Sequence, residues 1–173
     1  MIVYPEIKMF KGDCNTYYVN DRKKMLVDAG MLPEQKTNIV IITHFHPDHW
    51  TCLKQIMEKN PKAKIMIGEK DAEPFSMICK VKPDKKLKHG DIIKTGKYNW
   101  RIIHCPGHTK GGISLWEQAH KILFSGDTLF ANNIIGRTDL PYSAPKEMNK
   151  TLRKLKKLKP KILLPGHGLI KNS

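Results

Sequence analysis

The sequence predicts an α+β fold in which two β-sheets are covered by helices within one layered domain. Three observations carry this. Short β-branched runs recur between turn residues. One apolar run leads through a polar loop into helical periodicity and then a second apolar run. A lysine-rich amphipathic segment precedes the last apolar run.

Ile7 to Phe10, Thr16 to Asn20 and Lys24 to Asp28 read as opening strands, with Gly12-Asp13 and Asn20-Asp21 as the turns between them. The β-branched run from Ile39 to Thr43 predicts a buried strand. In Thr51 to Lys59, Leu53, Ile56 and Met57 fall at helical spacing, and Asn60-Pro61 ends the helix ahead of a strand over Ala63 to Gly68. Asp91 to Thr95, Trp100 to His104, Ile113 to Trp116 and Lys121 to Ser125 continue as strands. Met148, Leu152, Leu155 and Leu158 recur at intervals of three and four, which predicts a helix begun near Pro145 and stopped by Pro160. Lys161 to Leu164 is the last strand.

At 173 residues the chain fits a single domain spanning 1–173, enough to bury roughly two-thirds of the surface its unfolded form exposes. The opening MIVYPEIKMF holds neither an apolar leader core nor a cleavage site, and no apolar run approaches the roughly 20 residues of a membrane span. A cytoplasmic protein with no membrane partner is expected. Cys14, Cys52, Cys79 and Cys105 form no C-x-x-C pair and read as reduced, packed thiols. The net charge of +15 draws anions, and nucleic acid stays open as a partner. Lysine is spread along the whole chain, however, and the cationic stripe of the C-terminal helix reads as a solvated face.

The chemistry concentrates in "THFHPDHW", Thr43 to Trp50, where three imidazoles and a carboxylate follow a buried strand. Backbone still extended there sends His44 and His46 to the same side, able to share one ion. Asp48 and His49 sit just beyond, and carboxylate oxygen and neutral imidazole both suit zinc and similar metals. The same pattern of apolar strand, sharp turn and one polar side chain recurs at His108 in "CPGHT", at Asp127 in "SGDT" and at His167 in "PGHG". Strand ends that deliver ligands to one edge make a site on rigid supports.

The set "HFHPDH", "PGHT", "SGDTLF" and "PGHG", preceded by "VDAG" at Val27 to Gly30, resembles the metallo-β-lactamase superfamily from about Cys14 to Gly168. "GDTLF" followed by "IGRTDLP" is most similar to its glyoxalase II-like hydrolases. The resemblance implies a four-layer αββα sandwich of two mixed β-sheets flanked by helices. It also implies two divalent metal ions, zinc first and iron or manganese as alternatives. His44, His46 and His108 would hold one; Asp48, His49 and His167 would hold the other; Asp127 would bridge them with a water or hydroxide. Asp48 would orient that nucleophile while remaining a ligand, and Asp28 would orient a ligand imidazole. Arg137 falls near a basic position that contacts substrate, with a surface or loop-anchoring role as the alternative, and Lys110 is equally open. His89, His104 and His120 match no motif and read as structural or exposed.

The implied activity is metal-dependent hydrolysis of a small-molecule thioester or related acyl compound by attack of the bridging hydroxide. A thiolate with a pKa near about 8.5 leaves without much acid assistance, which suits a site rich in metal ligands and poor in proton donors. Alternatives are a mononuclear-iron persulfide dioxygenase and a metal-dependent nuclease or lactonase. A β-lactam hydrolase is disfavoured, because members that cleave β-lactams place cysteine where Asp127 stands. Glyoxalase II enzymes continue into a helical domain that helps hold glutathione, whereas six residues follow His167 here. Met31 to Asn38 is short for the helix that many relatives carry, and Trp50-Thr51 stands where small residues are common. The expectation is an open cleft and a substrate other than S-lactoylglutathione.

Overall fold

The computed structural model describes residues 1–172. Seven strands form the first sheet in chain order: β1 (Ile2–Tyr4), β2 (Ile7–Lys11), β3 (Asn15–Val19), β4 (Met25–Val27), β5 (Ile39–Ile42), β6 (Lys64–Gly68) and β7 (Lys85–Leu87). The second holds β8 (Ile92–Lys94), β9 (Asn99–His104), β10 (Ile113–Glu117), β11 (Ile122–Gly126), β12 (Ile162–Pro165) and β13 (Lys171–Asn172), in reverse spatial order from β13 to β8. Both are mixed: β4, β5, β6 and β7 run parallel, as do β11 and β12, and the other pairs are antiparallel.

Alternation along the strands builds four layers. Tyr17, Val27, Ile41, Trp100, Ile102, Leu115 and Phe124 face one another in the core between the sheets. Their neighbours Tyr18, Leu26, Val40 and Ile42 turn outward, beneath α1 (Leu53–Lys59) and α2 (Ala72–Cys79), where Leu53, Ile56 and Phe75 cover them. On the other outer face Ile103, Trp116, Leu123 and Leu163 meet Leu155 of α3 (Pro145–Lys157). The period of two thus places the inner strands in two cores, which is why β5 reads as an unbroken apolar run with every residue buried. Burying one such side chain contributes about 1.5–3 kcal/mol. The sandwich expected from the sequence is present, and among the described residues no helix is long and apolar enough to cross a membrane.

Four elements lie outside the sequence reading. β7 and β13 are short sheet edges carrying Lys85, Lys86 and Lys171, so they lack the apolar pattern that marks an inner strand. β1 is a three-residue edge. In α2 the third residue is Pro74, which sequence rules treat as a breaker although the first helical turn tolerates it. Residues 31–38 carry no helix.

Candidate metal centre

The parallel strands β4, β5, β11 and β12 point their C-terminal ends toward one edge of the sandwich. The N–H of Ile113 on β10 donates to the Thr43 carbonyl at the end of β5 (2.9 Å), and Gly166 N–H donates to Gly126 O (3.0 Å), so the loops leaving both sheets are drawn together. A short 3-10 turn, Pro47–His49, folds Asp48 and His49 back toward β5. The seven residues singled out by the sequence converge there from four loops.

One imidazole group is His44, His46 and His108, with His46 Nδ1 2.9 Å from His108 Nε2 and the His44 ring 4.7–4.8 Å from the other two. A second group is Asp48, His49 and His167: His167 Nε2 lies 3.0 Å from Asp48 Oδ2 and 3.3 Å from His49 Nε2. Asp127 stands between them, with one oxygen 3.3 Å from His49 Nε2 and the other 3.4 Å from His167 Nε2 and 3.7 Å from His108 Nε2. His44 and His49 are buried, whereas the side chains of Asp48 and His167 are 40% exposed and form the mouth.

Hydrogen bonds behind the rings fix what each ring presents. The Arg137 carbonyl can only accept, so His108 Nδ1–H donates to it (2.7 Å) and Nε2 offers a lone pair to the centre. Asp28 does the same for His49, whose Nδ1 lies 2.9 Å from Oδ2, and its other oxygen accepts Thr43 N–H (2.7 Å). Asp28 holds this position in the left-handed region, φ +61°, an uncommon conformation for a residue with a Cβ. Thr43 Oγ1 donates to Asp28 (3.0 Å) and faces His44 Nδ1 (3.2 Å), which turns the His44 Nε2 lone pair inward. That Nε2 and Asp127 Oδ1 are buried side-chain atoms with no hydrogen-bond partner among the described residues. Two orphaned acceptors aimed at one point cost free energy in the absence of a cation, so the donor set fits a metal.

The electrostatics agree. Burial and the neighbouring imidazoles hold His44 well below the usual histidine range, and burial beside His108 lowers His46 to about 4, so both are neutral at neutral pH, with lone pairs free for a metal. Burial opposes ionisation of Asp127, yet His49, His167 and His108 outweigh it and keep the carboxyl below its ordinary value. Burial likewise lowers His49, but Asp28 and Asp127 overcome it and raise the ring well above normal. The pocket thus attracts positive charge at the point where the lone pairs meet.

Arg137 turns its guanidinium outward onto Asp139 (2.9 and 3.0 Å) and contributes its carbonyl to the centre. Lys110 lies over the Tyr142 ring at 5.7 Å. His104 contacts the Lys110 carbonyl (2.9 Å), His120 pairs with Glu117 (2.9 Å), and His89 is exposed. All four cysteines are free.

Three supporting residues escape motif reading. Tyr17 O–H and Asn15 Nδ2 both donate to Pro165 O (2.7 and 3.0 Å), and Asn15 N–H donates to Gly166 O (2.7 Å), anchoring the loop that carries His167. Buried Asp71, in the turn before α2, accepts Thr109 Oγ1–H (2.7 Å), Gly111 N–H (2.6 Å) and Phe45 N–H (3.2 Å). It thereby ties the loop of His108 to the segment between His44 and His46. Asp71 follows β6 as Asp48 follows β5, and that strand-end carboxylate was the available signal.

Gly166 packs where no side chain fits: a Cβ there would overlap Asp127 Oδ1 and stand 2.7 Å from His49 Cε1. Gly166→Ala is therefore expected to weaken metal affinity by about 10–100-fold with the far-UV spectrum unchanged, the magnitude of disturbing a ligand's support. Metal titration followed by circular dichroism checks this.

The comparisons with known proteins point the same way. The family model of the metallo-beta-lactamase superfamily matches residues 9–167. Hydroxyacylglutathione hydrolase GloC of Haemophilus influenzae is 28% identical, covering 94% of this chain and 88% of its own. Acyl-coenzyme A thioesterase MBLAC2 of Gallus gallus is 37% identical over 50% of this chain, a stretch that is 32% of that longer protein. In fold, the crystal structure of BLEG-1 B3 metallo-beta-lactamase superposes with a TM-score of 0.81 at 22% identity, covering 95% of this chain and 93% of its own. With the match spanning every loop that reaches the His and Asp cluster, this chain belongs to the metallo-beta-lactamase superfamily.

Proposed function

We propose that the protein is a two-metal thioester hydrolase. The observation that carries this reading is the pair of buried, unpartnered acceptors, His44 Nε2 and Asp127 Oδ1, set among five further ligand-type side chains. His44, His46 and His108 would hold one ion, Asp48, His49 and His167 the other, with Asp127 between them available to both. Zinc is the metal this nitrogen and oxygen set suits first, and iron and manganese are compatible with the same ligands. Bound there, divalent ions supply a water acidified to a pKa of roughly 7 and a Lewis acid for a carbonyl oxygen.

The chain's own residues account for the rest. Asp28, Thr43 and the Arg137 carbonyl lock three imidazoles in the ligating tautomer, so little reorganisation is needed during turnover. Asp48 and His167 form the exposed rim, which supports approach of the substrate from that side, where Asp48 would accept a hydrogen bond from the attacking water. The described cluster offers no neutral acid aimed at a leaving group. A thioester, whose thiolate departs unaided, fits that better than an amide. Relatives named as hydroxyacylglutathione hydrolase and acyl-coenzyme A thioesterase support the class. Arg137, exposed beside the His108 loop, would have to leave its pair with Asp139 to meet an anionic part of the substrate.

The test is chelation followed by reconstitution. Stripped protein is expected to lose thioester hydrolysis and regain it on addition of two equivalents of zinc, with two ions per chain by mass spectrometry. At a free metal concentration about 100-fold above Kd, the gain of about 2.7 kcal/mol raises Tm by roughly 5–10 °C. One iron per chain with oxygen uptake on a persulfide would select a dioxygenase instead, and full turnover by the stripped protein would end the reading.

A further inference from the structure

Beside the His108 loop lies a cleft of about 450 Å³, within the usual range for small-molecule sites, lined by Lys70, Lys110, Lys150, Lys154 and His104. The lysines come from three places: the turn before α2, the loop after His108, and one face of α3. Four lysines elsewhere pair with acids, in Lys64–Asp84, Lys85–Asp91, Lys88–Glu69 and Lys97–Glu6, and many surface lysines do not; what sets this wall apart is that four lysines converge on one concavity. Among the described residues, none of these four has a carboxylate within ion-pair distance, and Glu147 is the one acid on the wall. Lys154 is further held by donating to the His104 carbonyl (2.5 Å). Half-buried His104 is kept below the usual histidine range by burial, with the charges of Lys70, Lys154 and His89 adding to it, as expected where cations converge.

The cleft adjoins the loop that carries His108. Pro106 and Lys110 on its wall are each two residues from His108, at most about 7 Å along the chain. Tyr142, 53% exposed, lies beneath Lys110 and packs on the buried Phe45 ring (5.5 Å), which in turn lies 4.8 Å from His46. A ligand with its reactive end at the metals and a polyanion at its far end would lie along this track.

We propose that the cleft binds the phosphate groups of the thiol carrier, so that the substrate is a thioester of a nucleotide-type, polyphosphorylated thiol. This deepens the thioesterase reading and rests on it. Four unpaired ammonium groups around a concave wall match phosphate, each monoester group of which carries about −1.5 to −2 charges at pH 7. A peptide thiol such as glutathione offers two carboxylates offset by its own ammonium group, a poorer match. A nucleic-acid strand would require several stacking platforms along its path, whereas Tyr142 offers one exposed ring beside this cleft and Trp116, near the same helix, is buried beneath Leu155 and Leu158.

The experiment uses coenzyme A as probe. Its Kd is measured by calorimetry, and kcat/KM is compared for acetyl-coenzyme A and S-acetylglutathione on metal-loaded protein. Lys70→Gln/Lys150→Gln is expected to weaken coenzyme A binding about tenfold and to lower the kcat/KM ratio between the two thioesters by a similar factor. Raised salt should weaken wild-type binding more than variant binding. Binding that depends on these lysines without turnover of either thioester upholds the cleft and removes the hydrolase reading. Turnover of both with an unchanged ratio in the variant overturns the cleft and leaves the hydrolase. An RNA oligonucleotide that displaces coenzyme A at equal phosphate concentration assigns the cleft to a polymer and overturns the proposal.

Discussion

Asp127→Ala is expected to abolish thioester hydrolysis, with kcat/KM reduced by about 10³ or more, while the protein remains folded. The carboxylate stands between the two imidazole groups, 3.3 Å from His49 Nε2 and 3.7 Å from His108 Nε2. In the proposed two-metal centre its loss removes a shared ligand and the negative charge that would offset two neighbouring cations, an effect comparable with or greater than deleting a transition-state donor. The fold should survive, because Asp127 follows β11 and lies outside all three apolar clusters. Mass spectrometry should find fewer than two ions per chain, and near-ultraviolet circular dichroism should match the parent. Unchanged turnover in a folded variant would remove Asp127 from the chemistry and the two-metal reading with it.

What was legible in the sequence follows from how each element is built. β5 and β11 are covered on both faces, so their apolar runs announce strands, and the His and Asp residues stand out against the turns that follow. Lys85-Lys86-Leu87 pairs along one edge only and buries Leu87 alone, so nothing in its composition separates it from a loop. The ligand-type residues sit at fixed offsets from strands, which local pattern captures. The residues that steady them do not: Asn15 reaches Pro165 across 150 positions of sequence, and Asp71 reaches Gly111 across 40. A hydrogen bond between segments that distant leaves no spacing signal. The basic cleft escaped for the same reason, since Lys70, Lys110 and Lys150 are ordinary surface lysines until folding gathers them.

Asp71→Asn is the prediction that tests such a long-range contact. The carboxylate receives three donors, from Thr109, Gly111 and Phe45, whereas an amide presents one oxygen and a donating –NH2 group, so at least one of the three is left facing another donor. The segment between His44 and His46 and the loop after His108 would then relax apart. A shift of about 1 Å at reacting groups costs on the order of 10²-fold, so kcat/KM should fall by about 10–100-fold, with metal affinity weakened in parallel. A second readout separates this from general loosening. Burial, against those three hydrogen bonds, pushes the Asp71 carboxyl up to about 6, compared with about 3.9 in an unfolded chain. Between those values the folded state holds the proton and the unfolded state has released it, so stability falls as pH rises from about 4 to about 6, by about 2–3 kcal/mol. The substituted amide does not titrate, so urea unfolding of the variant should lack that part of the slope. The histidine titrations are common to both proteins and cancel in the difference. Equal slopes together with wild-type activity would show that Asp71 neither holds the two loops nor carries the buried charge assigned to it.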